Sequence, residues 1–93
     1  MKVNAKRVLK NLKGENYQDN KEDVTVGAIV SNILSQEQTG GKMKLYSLAV
    51  RFYEDEEVEL DSADLVLVKK AVEDSKEYNN LILGQILLAL EGE

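Results

Sequence analysis

Ninety-three residues, 43% apolar and 31% charged, with a net charge of −5, describe one globular domain near the lower end of the sizes that a single core sustains unaided. That composition is too hydrophobic for a disordered chain and too charged for a membrane protein. Cysteine, histidine, tryptophan and proline are all absent, which removes the commonest proton shuttle, the thiol nucleophile and the softest metal ligand together.

Charge is divided along the chain. Residues 1–53 carry nine Lys and Arg against five Asp and Glu, whereas residues 54–93 carry three against twelve. The longest apolar stretches, 81–83 and 86–90, are separated by Gly84 and Gln85 and fall far short of the roughly 20 residues a bilayer span requires. The N-terminal lysines are not followed by the apolar segment of a secretory signal, and without cysteine there is no disulfide argument for export, so no membrane association is expected and the cytoplasm is the expected compartment.

In chain order, the first apolar positions are Val3, Ala5, Val8, Leu9 and Leu12 in a Lys-rich stretch. Val8, Lys10 and Leu12 recur with the period of a half-buried strand. Lys13-Gly14 supplies a turn, and residues 15–23 are polar, with Asn16, Asp19 and Asn20 as further turn formers. A hairpin over residues 7–24 is predicted; being marginal in water by itself, it must lie on the helices that follow or on a second copy.

From Thr25 the period changes to 3.6, with Val26, Ile29, Val30, Ile33 and Leu34 on one face and Thr25 as N-cap. Gly40-Gly41 is the expected break. A second helix is predicted from about Lys42 to Tyr53, its stripe made of Leu45, Leu48, Ala49 and Phe52 and widened by Tyr46 and Tyr53. The acidic run Glu54, Asp55, Glu56, Glu57 ends it. Val58-Glu59-Leu60 is short and extended, a strand edge or a connection. Asp61 and Ser62 are two candidate N-caps for a third helix, with Asp64 in the first turn where the helix dipole favours negative charge. Leu65, Val68, Ala71 and Val72 form its stripe, with Val66 and Leu67 adding width. Asn79 or Asn80 caps a fourth helix that runs to Leu90. The expected fold is α+β and mainly helical: an N-terminal β-hairpin packed on about four α-helices, in a single domain with a hairpin region at 1–24 and a helical region at 25–91.

The fourth helix has almost no polar face, with Leu81, Ile82, Leu83, Ile86, Leu87, Leu88 and Leu90 in one short span. Burying one large aliphatic side chain contributes roughly 1.5 to 3 kcal/mol, so leaving two or three in water costs several kcal/mol against a domain stability of about 5 to 15. This helix is therefore either the centre of the core or a contact with a second copy. Leu83, Ile86, Leu87 and Leu90 are the candidate interface of a homo-oligomer.

Glu54, Asp55, Glu56, Glu57, Glu59, Asp61 and Asp64 place seven carboxylates in eleven residues. An EF-hand loop fails from either start: from Glu54 the fifth position is Val58 and the twelfth Leu65, and from Asp19 the twelfth is Val30. Acid/base chemistry needs one carboxyl enclosed in an apolar pocket, and this stretch promises solvent. The remaining readings are a solvated helix end and an acidic partner surface at Glu54, Asp55, Glu56 and Glu57 that competes for a basic groove. Thr39-Gly40-Gly41-Lys42 resembles the end of a phosphate loop only in part, since Met43 stands where Ser or Thr would hold magnesium. No metal or other cofactor is indicated. Lys6, Arg7 and Lys10 are candidate phosphate contacts, but the net charge opposes DNA as the main ligand and no aromatic residue interleaves the lysines for base stacking. The same cations would also suit the acidic segment of another copy.

Three segments carry a family resemblance: Lys42-Met43-Lys44-Leu45-Tyr46-Ser47-Leu48-Ala49, the stretch from Val58 through Asp61 to Lys70, and Leu83-Gly84-Gln85-Ile86-Leu87. Together they resemble short, mostly uncharacterised proteins encoded by tailed phages and prophages, over about two thirds of the chain. The shared features form the fold and supply no site residues. The resemblance implies a viral or prophage origin and a bacterial host cytoplasm. The expected function is a non-enzymatic accessory protein that binds a host or phage protein in host takeover, anti-defence or assembly. One alternative is a nucleic-acid-associated regulator using the basic N-terminal arm; another is a small-ligand binder with a site between subunits, into which Tyr46, Tyr53 or Asn80 would point.

Overall fold

A computed structural model describes residues 2–19, 21–36 and 42–91. Its elements follow the order β1 (Lys2–Asn4), β2 (Gln18–Asp19), β3 (Glu22–Asp23), α1 (Val26–Gln36), α2 (Lys42–Glu54), β4 (Glu57–Glu59), α3 (Ser62–Asp74) and α4 (Asn80–Leu90). The fold is α+β and mainly helical, as the sequence leads one to expect. Its radius of gyration, 12.3 Å, is that of one compact body of this length.

The starts of α1, α3 and α4 each follow from a side-chain cap that satisfies an amide the helix leaves free. Thr25 Oγ1 accepts from the amide of Ala28 at 3.2 Å. Asp61, rather than Ser62, caps α3 by accepting from the amide of Asp64 at 2.7 Å. Asn79, rather than Asn80, caps α4 by accepting from the amide of Ile82 at 3.1 Å. The expected Gly40-Gly41 break lies outside the described residues.

The N-terminal region departs further from expectation. Val58, read as either strand edge or connection, lies in β4, which pairs antiparallel with β1 in the register Lys2 to Glu59, Val3 to Val58 and Asn4 to Glu57. The two valines point inward and are fully buried. The hairpin is present but broken up: single bridges join Val8 to Thr25 and Lys10 to Asn16, while β2 and β3 form a second tight hairpin. Its first turn falls where Lys13-Gly14 places it. Asn11 Oδ1 accepts from the amides of Lys13 and Glu15, and Gly14 adopts φ +85°, which glycine takes without strain. The buried side chain is Leu9, whose amide and carbonyl are held by Val24 and Tyr17, whereas Leu12 rides out on the turn and is 93% exposed.

Helices α1 and α2 run antiparallel. At Gly27, near the start of α1, an added Cβ would stand 2.3 Å from the Phe52 carbonyl oxygen near the end of α2 and 2.8 Å from that of Ala5. Absence of a side chain lets α1 seat against both, and the Gly27 amide donates to the Ala5 carbonyl at 2.8 Å.

Of the two expectations for α4, the central one is realised for half of its apolar residues. Ile82, Ile86, Ala89 and Leu90 are buried, and Ile86 and Leu90 have no exposed surface. These two therefore belong to the chain's own core and leave the candidate interface. Leu83 and Leu87 are half-buried against the core, and Leu88 is 52% exposed. Gln85 fastens α4 to the hairpin: its Oε1 accepts from the amide of Lys10 at 2.8 Å and its Nε2 donates to the Lys10 carbonyl at 2.7 Å. A side chain here completes a strand's hydrogen bonding as a neighbouring strand would.

Candidate functional site: a tyrosine-lined groove

On the outer side of the α1–α2 pair, two complementary stripes face one another. Helix α1 contributes Ala28, Ser31, Asn32 and Ser35, all small or short; α2 contributes Tyr46, Ala49, Val50, Tyr53 and Glu54. Both stripes follow the i, i+3, i+4, i+7 spacing that keeps residues on one helix face. Short side chains on one wall and tyrosines on the other leave a groove of about 540 Å3, within the range of ligand sites. Tyr78, from the connection between α3 and α4, closes one side, where Asn32 Nδ2 donates to its hydroxyl. Three of the chain's four tyrosines thus meet in one place.

Tyr46 and Tyr53 are 65% and 71% exposed, unusual for large aromatic side chains. The serine hydroxyls are already committed, Ser31 to the Ala28 carbonyl at 3.0 Å and Ser35 to the Asn32 carbonyl at 2.9 Å. Glu54 carries the only charge among the described lining residues. It is the last residue of α2, where the helix dipole disfavours a carboxylate.

Spatial placement recasts both charged segments. Glu54, Asp55, Glu56 and Glu57 are all exposed, and no ion pair to any of them occurs among the described residues. Only Glu54 reaches the groove; the Glu56 backbone carbonyl accepts from the Ala5 amide at 2.9 Å, and Glu57 lies opposite Asn4 in β4. Lys6, Arg7 and Lys10 are exposed as well. Lys6 and Arg7 follow directly on Ala5, and the Arg7 carbonyl accepts from the Val26 amide at 2.9 Å, while the Lys10 ammonium donates to Asn16 Oδ1. The β1–β4 pairing sets Lys2 against Glu59 and brings the basic stretch beside the acidic one. At this pairing the division of charge along the sequence is not a division in space, since Lys2 and Glu59 share one two-stranded sheet.

One charged pair had no such signal. Asp64 is 5% exposed at the start of α3, and Lys44 Nζ on α2 stands 2.8 Å from its Oδ1, an oxygen with no other partner among the described residues. The Lys44 hydrogen bond holds the Asp64 carboxyl below its usual value, against burial, which works the other way. The same contact raises Lys44. Sequence reading placed Asp64 in the acidic segment and at the favourable end of the helix dipole but gave it no partner, because adjacency of α2 and α3 at this point is a tertiary fact.

Of the three residues named for a pocket between subunits, Tyr46 and Tyr53 line this groove within a single chain, and Asn80 does not; Tyr78 stands there instead. The spacing of Tyr46 and Tyr53 was a readable signal, whereas Tyr78 enters from a connecting segment that had none. Among the described residues no cluster of acidic side chains is arranged to hold a metal ion, and no helix is long and apolar enough to cross a membrane. Fold and site together define a class: a mainly helical α+β domain with an aromatic groove between two antiparallel helices. No protein-family model, curated protein or solved structure matches the chain.

Proposed function

We propose that this chain is a non-enzymatic accessory protein of a tailed phage or prophage, acting in the bacterial cytoplasm by binding a host or phage protein in the groove between α1 and α2. The observation that carries the reading is the exposure of Tyr46 and Tyr53 along a groove whose serine hydroxyls are internally bonded. Tyrosine offers a large, rigid contact area with a polar tip at little entropic cost, and for that reason is enriched where proteins meet. Among the described lining residues no nucleophile is paired with a base, which supports recognition as the role of the groove. Viral origin rests on the three sequence segments and host takeover, anti-defence and assembly are the processes in which such a partner would be sought.

The test is purification of the tagged protein from a bacterial lysate at high salt, alongside a Tyr46→Ser/Tyr53→Ser variant with an unchanged unfolding midpoint. A stoichiometric protein retained by the parent and lost from the variant is expected. Equal retention by both would reject the groove as the docking site, and recovery of nucleic acid alone, at low salt, would shift the function to the regulator reading.

A further inference from the structure

We infer that the group the groove accepts is the guanidinium of an arginine carried by the partner protein, seated against the faces of Tyr46 and Tyr53 and paired with Glu54; this deepens the docking function proposed above and rests on it. Three observations converge. The walls supply aromatic faces, whose negative quadrupole attracts cations, from three tyrosines. The single charge among the described lining residues is a carboxylate, so the groove complements a cation and opposes an anion. That carboxylate ends α2, where the helix dipole already favours positive charge, and Asp55, Glu56 and Glu57 continue the acidic surface beyond it without an ion pair among the described residues. A local arrangement that opposes the helix dipole is relieved by a bound cation.

Arginine fits better than lysine. Its planar group stacks on an aromatic face while its fork of donors engages a carboxylate at two points, and it is more weakly hydrated than an ammonium. The apolar lining residues Ala28, Ala49 and Val50 would take the aliphatic stem.

The experiment titrates the isotopically labelled full chain, followed by backbone amide resonances, with an acetylated and amidated pentapeptide that has arginine between two leucines. Its twin carries citrulline, which keeps the shape and loses the charge. Expected are shifts concentrated at Asn32, Val50, Tyr53 and Glu54, with the arginine peptide bound about tenfold more tightly than its twin. A Glu54→Gln variant with unchanged unfolding should lose most of that preference while binding the citrulline peptide as before. Equal binding of both peptides in the groove would overturn the arginine inference and leave the docking function standing. Absence of groove shifts at millimolar arginine peptide would overturn it too, and the lysate experiment decides the docking function separately. Free guanidinium ion binding as tightly as the peptide would make this a small-cation site and reject a protein-borne arginine.

Discussion

Two glycines in helices make opposite demands. Gly27 has the Phe52 carbonyl oxygen 2.3 Å from where its Cβ would be, whereas Gly84 has open space around the same point. Gly27→Ala is expected to destabilise the fold by about 1 to 3 kcal/mol through overpacking against rigid backbone. Gly84→Ala should stabilise it by about 0.5 to 1 kcal/mol by restricting the unfolded chain. Urea unfolding of both variants reads the two signs directly. At Asp64 the dependence is on pH. Its carboxyl is held below the usual 3.8 by Lys44, so its contribution is present above that value and is lost as pH falls through the lowered one. Lys44 is raised above its usual 10.5, so its contribution is present below that value and is lost as pH climbs through the raised one. Asp64→Asn should therefore lower the urea midpoint at neutral pH and make it fall less than the parent's between about pH 5 and pH 2. Gly27 carried no signal in the sequence and Asp64 only those of a first-turn acid and an acidic cluster, because the neighbour that makes each special comes from a distant segment.

At the scale of elements, legibility follows the range of the forces that build each one. Helices α1 to α4 were readable because their apolar stripes are local patterns and because Thr25, Asp61 and Asn79 cap α1, α3 and α4 through bonds three residues away. The hairpin was readable at its Asn11–Glu15 turn but not along its length, since Leu9 is buried by tertiary contacts that the Val8, Lys10, Leu12 period does not encode. Strand β1 carried no signal, as its partner lies beyond two helices. Gln85 shows how an element can depend on one distant side chain. Gln85→Ala removes both bonds to the Lys10 backbone, and because Lys10 is open to water the cost should be only about 1 kcal/mol. Amide exchange should locate that loss, rising at Leu9 and Tyr17 in the hairpin while α1 and α2 remain protected.

For the whole molecule the question is which apolar surface is left over once one core has formed. Ile86 and Leu90 are consumed by that core, and Leu88, with the half-buried Leu83 and Leu87, is what α4 leaves outside. Self-association, if this strip mediates it, separates cleanly from folding. Ile86→Asp should abolish cooperative unfolding, since a charge would enter a fully enclosed site. Leu88→Glu should leave the unfolding midpoint within about 0.5 kcal/mol and lower the mass found by light scattering. A mass equal to one chain in the parent would remove self-association through α4. The groove lies on the α1–α2 side, so the two surfaces can be tested independently.

The β1–β4 pairing also sets an order of events during synthesis. Residues 2–4 emerge more than fifty positions before the strand they pair with, so Val3 waits without its cover until Val58 has been made. Helices α1 and α2 are close in sequence and can meet first, at a small loop-closure cost, whereas β1 must close a much longer loop to reach β4. The α1 and α2 walls of the groove thus depend on local contacts alone, and a chain halted before residue 57 would already carry the tyrosine face of α2, with Tyr78 still to be added from the α3–α4 connection.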